Sequence, residues 1–394
     1  MNLDRRSLEK KFERERIMFP ALERGAYFIT ASTGLVPAYI HDAVQRYQER
    51  RYLIGGDAQW NGMSTMEMME WSKKQLGIML GCSGRDIAFG DNSSRMLNLM
   101  VQGLPLQEGD NVVVTDTAFL GTRFAWQLRA REGIEIKTVG GGEKGISPKD
   151  IFSAVDEHTK VISLSFVESS TGFRYDLGTI GDFCRARGIL LCVDGVQGIG
   201  VMPLDVEKMK IDFLVGNDYK WMMGYCGTGF ACISKELQER LKPWGAGWMS
   251  DDERFNTRKQ QLALREDAGR FELGYPNVPG VYSLGLAAER YNRLGAEAVK
   301  AYVLQLREAF CQGIGAIKGA EIVFDFPPEN RSQLVHVEIR GRCRALSQQL
   351  AQQNVFIEGN FDKARDCFVS RIGLHYFNNI SDINRLLSGI ERRC

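Results

Sequence analysis

A chain of 394 residues, 44% hydrophobic and 25% charged, is long enough for two domains and a substantial core and has the composition of an ordinary globular protein. Its formal net charge of +1 leaves no electrostatic case for a nucleic-acid partner or an anionic membrane surface. No apolar run reaches bilayer-spanning length, the N-terminus lacks the apolar core of a secretion signal, and the nine cysteines follow no repeated Cys-x-x-Cys spacing, so a cytoplasmic protein with reduced thiols is expected. The four histidines, His41, His158, His336 and His375, have no partners at metal-ligand spacing, and neither a metal site nor a Ser-His-Asp triad is expected.

Taken in order, the opening from Asp4-Arg5-Arg6 to Glu15-Arg16 mixes both signs and predicts a solvated helix within residues 1–25. A short strand, Ala26-Tyr27-Phe28-Ile29-Thr30, ends in Ala31-Ser32-Thr33-Gly34, a small-residue turn that lets backbone approach a ligand closely. Residues 40–52 and 66–80 carry helical apolar spacing. Next, the strand Ile87-Ala88-Phe89 breaks at Gly90, Asp91-Asn92-Ser93-Ser94 supply capping groups, and an amphipathic helix begins. Free amides at that helix start, the helix dipole and the hydroxyls of Ser93 and Ser94 converge on one point, which is how an anion site is built. Plain capping by Asn92 or Ser93 is the simpler use of the same residues. From Asn111 onward strands and helices alternate: strand 112–115, helix 119–131, strand 134–139, a turn at Gly140-Gly141-Gly142, helix 148–155, strand 161–166, helix 180–187 and strand 189–193. Uninterrupted apolar strands separated by helices predict a mainly parallel sheet covered on both faces, with ligands beyond the carboxyl ends of its strands.

Two strand ends stand out. Asp194 follows Leu190-Leu191-Cys192-Val193, and a carboxylate there is costly to desolvate unless something cationic meets it, while Gly195-Val196-Gln197-Gly198 leaves room for a ring. The apolar run Asp212-Phe213-Leu214-Val215 is cut by Gly216-Asn217-Asp218 and stops at Tyr219-Lys220-Trp221. An ammonium pressed between Tyr219 and Trp221 would be poorly solvated, which favours the neutral amine that can attack a carbonyl. Residues 244–279 are aromatic, glycine-rich and aperiodic, as expected of an excursion that closes over a site or an interface. A smaller α+β unit follows. The expected division is an N-terminal helical segment (1–25), a large α/β unit (26–280) and a C-terminal α+β unit (281–394).

An anion cup (Ser93, Ser94), a partner for a cationic ring (Asp194) and a lysine (Lys220) are the three contacts that pyridoxal 5′-phosphate needs for its phosphate, pyridine nitrogen and aldehyde. The sequence also resembles the class V aminotransferase family of fold-type I pyridoxal-phosphate enzymes over nearly its whole length. The likeness is carried by Val193-Asp194-Gly195-Val196-Gln197-Gly198, by Asn217-Asp218-Tyr219-Lys220-Trp221 and by Arg270-Phe271-Glu272-Leu273-Gly274-Tyr275-Pro276-Asn277. Gly216-Asn217 ahead of Lys220-Trp221 is most similar to isopenicillin N epimerase-like members. The resemblance implies that Lys220 is the Schiff-base lysine, that Asp194 binds the pyridine nitrogen, that Gln197 and Ser169 approach the ring hydroxyl, and that Phe119 covers a ring face. It further implies that Asn217, Tyr219 and Tyr275 belong to the cofactor site, that Arg371 holds a substrate carboxylate, and that Arg270–Asn277 reaches the neighbouring subunit's cofactor in a homodimer.

The chain departs from the family pattern at four places. Tyr219 and Tyr275 stand where relatives carry a histidine and a threonine, Phe119 replaces the histidine of cysteine desulfurases, and residues 359–366 hold no cysteine, so a persulfide-forming desulfurase is not expected. The expected activity is therefore chemistry at Cα of an amino acid or related amine by transamination or elimination of the C–S lyase type. Phe119 cannot transfer a proton, which leaves two-base epimerisation as the alternative, together with a non-catalytic cofactor-binding scaffold.

Overall fold

The computed structural model describes residues 5–55, 59–141, 144–341 and 343–393. Asp4 and Gly142, assigned above to the opening helix and a turn, lie outside them. The centre is a seven-stranded sheet in the order Ile87–Gly90, Gly229–Ile233, Phe213–Asn217, Leu190–Asp194, Thr159–Ser165, Asn111–Thr115, Glu135–Val139. The five strands from Phe213–Asn217 to Glu135–Val139 pair in parallel, while Gly229–Ile233 runs antiparallel to both its neighbours. Strand residues on both faces are buried, as in Asn111–Thr115 and Phe213–Asn217, where every residue is buried. Helices on the two faces explain that pattern, because βαβ crossovers leave no solvated side.

Parallel connectivity sends the carboxyl ends of Leu190–Asp194 and Phe213–Asn217 to the same edge of the sheet, bringing Asp194 and the turn before Lys220 side by side. The helix Ser93–Gly103 starts at that edge as well, capped by Asn92, whose side chain accepts from the Arg95 amide. Gly229 makes that placement possible. A Cβ there would meet the Asn92 carbonyl carbon at 2.4 Å and the Ser93 nitrogen at 2.6 Å, so only glycine lets the strand run under the helix start.

The four-stranded antiparallel sheet Gly359–Asp362, Cys367–Gly373, Leu334–Ile339, Ala320–Ile322 forms the C-terminal part. The strands Val355–Phe356 and Gly359–Asp362 have too few residues to show a period and were not anticipated. Ala26–Tyr27 pairs in parallel with Val355–Phe356, which ties the start of the chain to its end. The helix Arg5–Arg16 is docked rather than solvated. Leu8 and Phe12 are buried, Phe12 stacks on Tyr302 with ring centroids 4.6 Å apart, and Arg16 holds Asp382 through bonds of 2.6 and 2.9 Å. Two apolar residues among twelve sufficed, because their spacing of four puts them on one face.

The aperiodic excursion keeps its irregular character, with one 3-10 turn at Ala268–Phe271 and an isolated bridge between Asp251 and Leu264. Its Glu272 is anchored under the sheet edge. The carboxylate pairs with the buried Lys73 ammonium at 3.0 Å and accepts from the Phe89 amide at 2.9 Å.

Candidate active site

Lys220, Asp194, Asn217, Gln197, Tyr219, Ser93, Ser94, Phe119 and Ser169 all line one cavity of about 380 Å³ at the carboxyl edge of the sheet. Lys220 extends into it from the turn after Phe213–Asn217, with Nζ 5.8 Å from the centroid of the Phe119 ring and 5.8 Å from that of Tyr219. The pair of rings flanking the ammonium is thus Phe119 and Tyr219 rather than Tyr219 and Trp221. Trp221 turns inward instead, fully buried, its indole N–H donating to Gln197 Oε1 at 2.8 Å. A side chain that follows Lys220 directly in a turn cannot point the same way, which sequence adjacency conceals.

Burial lowers the affinity of Lys220 for its proton; the Arg371 charge adds to this, while Asp194 and Glu358 oppose it. Burial likewise holds the Asp194 carboxyl above the ordinary carboxylate range, against the Val196 amide, which donates to Oδ1 at 3.0 Å, the Lys220 charge and the Thr122 hydroxyl. Both shifts reflect the same deficiency: each group lacks solvent, and each would gain from a partner of complementary charge inside the cavity.

The lysine segment is held from behind. Gly34 donates to the Tyr219 carbonyl at 2.7 Å, and a Cβ on Gly34 would meet the Lys220 carbonyl oxygen at 2.1 Å, which accounts for the small-residue turn Ala31-Ser32-Thr33-Gly34. His375 takes the Tyr376 amide on Nδ1 at 2.8 Å, which leaves Nε2–H to donate to the Trp221 carbonyl at 3.0 Å. Its burial drops its pKa to about 4, so it works as a neutral hydrogen-bonding group. Asp218, treated above only as turn punctuation, is fully buried without a charged partner among the described residues, and burial raises its pKa to about 8 against the Thr228 hydroxyl and the nearby amides of Asp218, Tyr219 and Thr228.

Some side chains are committed in ways the sequence could not display. The Gln197 amide donates to Ala31 O at 2.9 Å and accepts from Trp221, leaving one N–H and one lone pair for a ligand. Ser169 Oγ accepts from Arg371 Nη1 at 2.6 Å. Arg371 lies beyond the first cavity, in an adjoining one of about 590 Å³ that shares Phe119 and Ser169 with it and also includes Arg123, Asp116 and Phe324. There Arg371 pairs with Glu358 at 2.6 Å. Sequence reasoning missed Glu358 and Thr122, which no motif marked. Tyr275 is not brought to the cavity of its own chain. It sits 56% exposed, edge-on to Trp248, in a small cavity with Arg95 and Trp244.

The profile of the family described as Aminotransferase class-V matches residues 26–386. The chain belongs to the aminotransferase class-V family. This bears out the resemblance read from the sequence, and with it a pyridoxal-phosphate-dependent enzyme of fold type I. Among similar proteins, a probable cysteine desulfurase of Methanothermobacter thermautotrophicus is 28% identical over 316 residues, 79% of this chain and 77% of that one. A complex of the cystine C–S lyase C-DES with its product cysteine persulfide superposes with a TM-score of 0.85 at 22% identity, over 95% of this chain and 99% of that one. A mutant of C-DES with glycine covalently linked to its PLP cofactor gives 0.86 at 22% identity, over 96% and 99%. At that identity the two structures speak for the fold.

The class-V residues present here fit pyridoxal 5′-phosphate. The exposed amides and hydroxyls at the start of Ser93–Gly103 suit its phosphate. Asp194, short of solvent, suits a protonated ring nitrogen, and the Phe119 ring and Val196 suit its two faces.

Proposed function

We propose that this class-V enzyme acts at Cα of an amino acid or related amine by transamination or elimination, with Lys220 as the group that holds the cofactor and then moves the Cα proton. Bound pyridoxal 5′-phosphate would supply an electrophilic carbonyl to capture the amine and a ring able to draw off negative charge at Cα. The remaining chemistry belongs to side chains. Lys220, whose hold on its proton is weakened by burial, is suited to accept a proton from the substrate carbon and return it elsewhere. Asp194 keeps positive charge at the ring nitrogen, and Ser93 and Ser94 with their helix start fix the phosphate so that Lys220 and the substrate carbon stay in reach. Phe119, which lines the cavity, is suited to lie against one face of the bound ring.

What carries this reading is the convergence of Lys220, Asp194 and the Ser93–Ser94 helix start on one cavity. Phe119 offers no second base on its side, which favours one-base chemistry over epimerisation. Residues 359–366 contain no cysteine, and Cys367, paired with Asp362 in a hairpin, is fully buried with its thiol pushed up in pKa by that burial. A persulfide-forming desulfurase activity is accordingly left out of the proposal, while elimination with C–S cleavage stays in it.

We assign the cofactor to the unit of residues 26–280 and the substrate end partly to residues 281–394, with 1–25 as a helical segment docked on the latter. The active unit we propose is a cytoplasmic homodimer acting on small molecules, without nucleic-acid or membrane partners. Exposed Trp244, Trp248, Phe255 and Tyr275 in one excursion support a partner surface there. Among the described residues no helix is long and apolar enough to cross a membrane.

The decisive experiment is borohydride reduction of the yellow holoenzyme followed by peptide mapping. Cofactor should be fixed to Lys220, and Lys220→Ala protein should take up none covalently; fixation at another lysine would overturn the assignment.

A further inference from the structure

The substrate end of the site is already occupied by a side chain of the protein itself. A guanidinium carries five N–H donors and no acceptor. In Arg371 all five are engaged: Nε donates to Glu358 Oε1 at 3.0 Å, Nη2 to Glu358 Oε1 at 2.6 Å and Ser32 Oγ at 3.0 Å, and Nη1 to Ser169 Oγ at 2.6 Å and Ser169 O at 3.1 Å. Glu358 thus sits on the Nε–Nη2 edge, the edge on which a guanidinium takes a carboxylate side-on. Its other carboxylate oxygen accepts from Ser32 Oγ.

Glu358 is fixed in that place by its backbone. It precedes the hairpin strand Gly359–Asp362, Gly359 is in register with Ser370, and the Ser370 hydroxyl donates to the Glu358 carbonyl at 2.6 Å. Arg371 is the next residue of the partner strand, so the hairpin register delivers the carboxylate to the guanidinium. Both side chains are mostly shielded, 20% exposed for Arg371 and 28% for Glu358. The pair is electrically neutral. A free α-carboxylate arriving here must displace Glu358 from one guanidinium edge or remain beside it as a like charge.

We propose that Glu358 is the specificity-determining residue of the substrate end, closing Arg371 to α-carboxylates and directing the enzyme to primary amines that bear no carboxylate on the amine-bearing carbon. The proposal rests on the functional reading above, which supplies the cofactor and Lys220. The adjoining 590 Å³ cavity, with Arg123, Thr117 and Ser170 on its wall, has room for the distal part of such an amine.

The test compares yellow holoenzyme of the wild type, Glu358→Ala, Glu358→Gln and the double variant Glu358→Ala/Arg371→Gln at constant ionic strength. Calorimetric titration with acetate, a carboxylate with no amine, reads the seat without turnover. Acetate should bind Glu358→Ala at least tenfold more tightly than wild type, Glu358→Gln should change in the same direction, and the double variant should lose the gain. Turnover of matched pairs, ethylamine against alanine and cysteamine against cysteine, should favour the amine in the wild type and shift at least tenfold toward the amino acid in Glu358→Ala. Acetate affinity unchanged or weaker in both single variants would overturn the proposal, as would a gain that survives loss of Arg371. A wild type that prefers alanine and cysteine, with the preference unmoved by Glu358→Ala, would overturn it too. Protein that stays colourless with pyridoxal 5′-phosphate, and that borohydride does not label, would instead defeat the parent reading. Colour and cooperative unfolding of each variant establish that it is folded, and should Glu358→Ala fail that check, the isosteric Glu358→Gln decides.

Discussion

The inner and outer ends of the site are built on different plans. The inner end gathers Ser93, Ser94, Asp194, Asn217 and Lys220 from strand ends and a helix start around one sheet, each contributed by a short contiguous segment. The outer end joins Ser32, Ser169, Glu358 and Arg371, four residues from a turn, a loop after a sheet strand and both arms of a C-terminal hairpin. Inside, Lys220 and Asp194 are shielded and feel each other's charge without forming an ion pair; outside, Arg371 has every donor engaged. The inner end is therefore poised to receive a ligand, while the outer end already contains a carboxylate. A scaffold shared by a family can keep the first constant, because parallel strands must end together, while a single hairpin residue resets the second.

If the inner end does the chemistry, Lys220→Ala should cost the most, about a thousandfold or more in turnover, the range expected when a positioned proton-transfer group is removed. Single-turnover Cα–H exchange into deuterated buffer would read this directly, and retained exchange would break the contrast between the two ends. Asp194→Ala should come next, on the order of a hundredfold in exchange rate, the effect of removing one preorganised electrostatic partner. Its cofactor should still be reducible onto Lys220, which separates charge stabilisation from binding.

A third prediction concerns stability behind the lysine. The Asp218 carboxyl titrates near 8 when folded against 3.8 in its ordinary state, so the stability it contributes is fully present below about pH 4 and is lost as pH rises through 8. Thermal unfolding should show Asp218→Asn more stable than wild type by roughly a few kcal/mol above pH 8, with the advantage shrinking toward pH 5. A wild type and variant with parallel stability curves across that window would show that the Asp218 carboxyl does not titrate high in the fold. The smallest effect should come from Tyr275→Phe, about tenfold in cofactor affinity if its hydroxyl meets the partner's phosphate, the size of one hydrogen bond to a charged group. Mixing Tyr275→Ala chains with Lys220→Ala chains should restore activity through one intact site per mixed dimer. Mixed dimers without restored activity would place Tyr275 outside the inner end.

The amino-acid order by itself determined the alternation of apolar strands and helices, and with it the carboxyl edge where Asp194 and Lys220 stand. Those features follow from local periodicity, strand ends and capping residues, which are written in contiguous residues. The family blocks around Asp194, Lys220 and Glu272 were legible for the same reason. Only the tertiary structure decided that Phe119 rather than Trp221 flanks the lysine, because neighbours in a turn diverge and residues 101 positions apart in the chain meet. It alone docked Arg5–Arg16 on Tyr302 and Asp382, turned Gln197 toward Ala31, and buried the Asp218 carboxyl. It also set Glu358 on Arg371, a pairing fixed by hairpin register, and register is a property of two strands together that neither strand's sequence states alone.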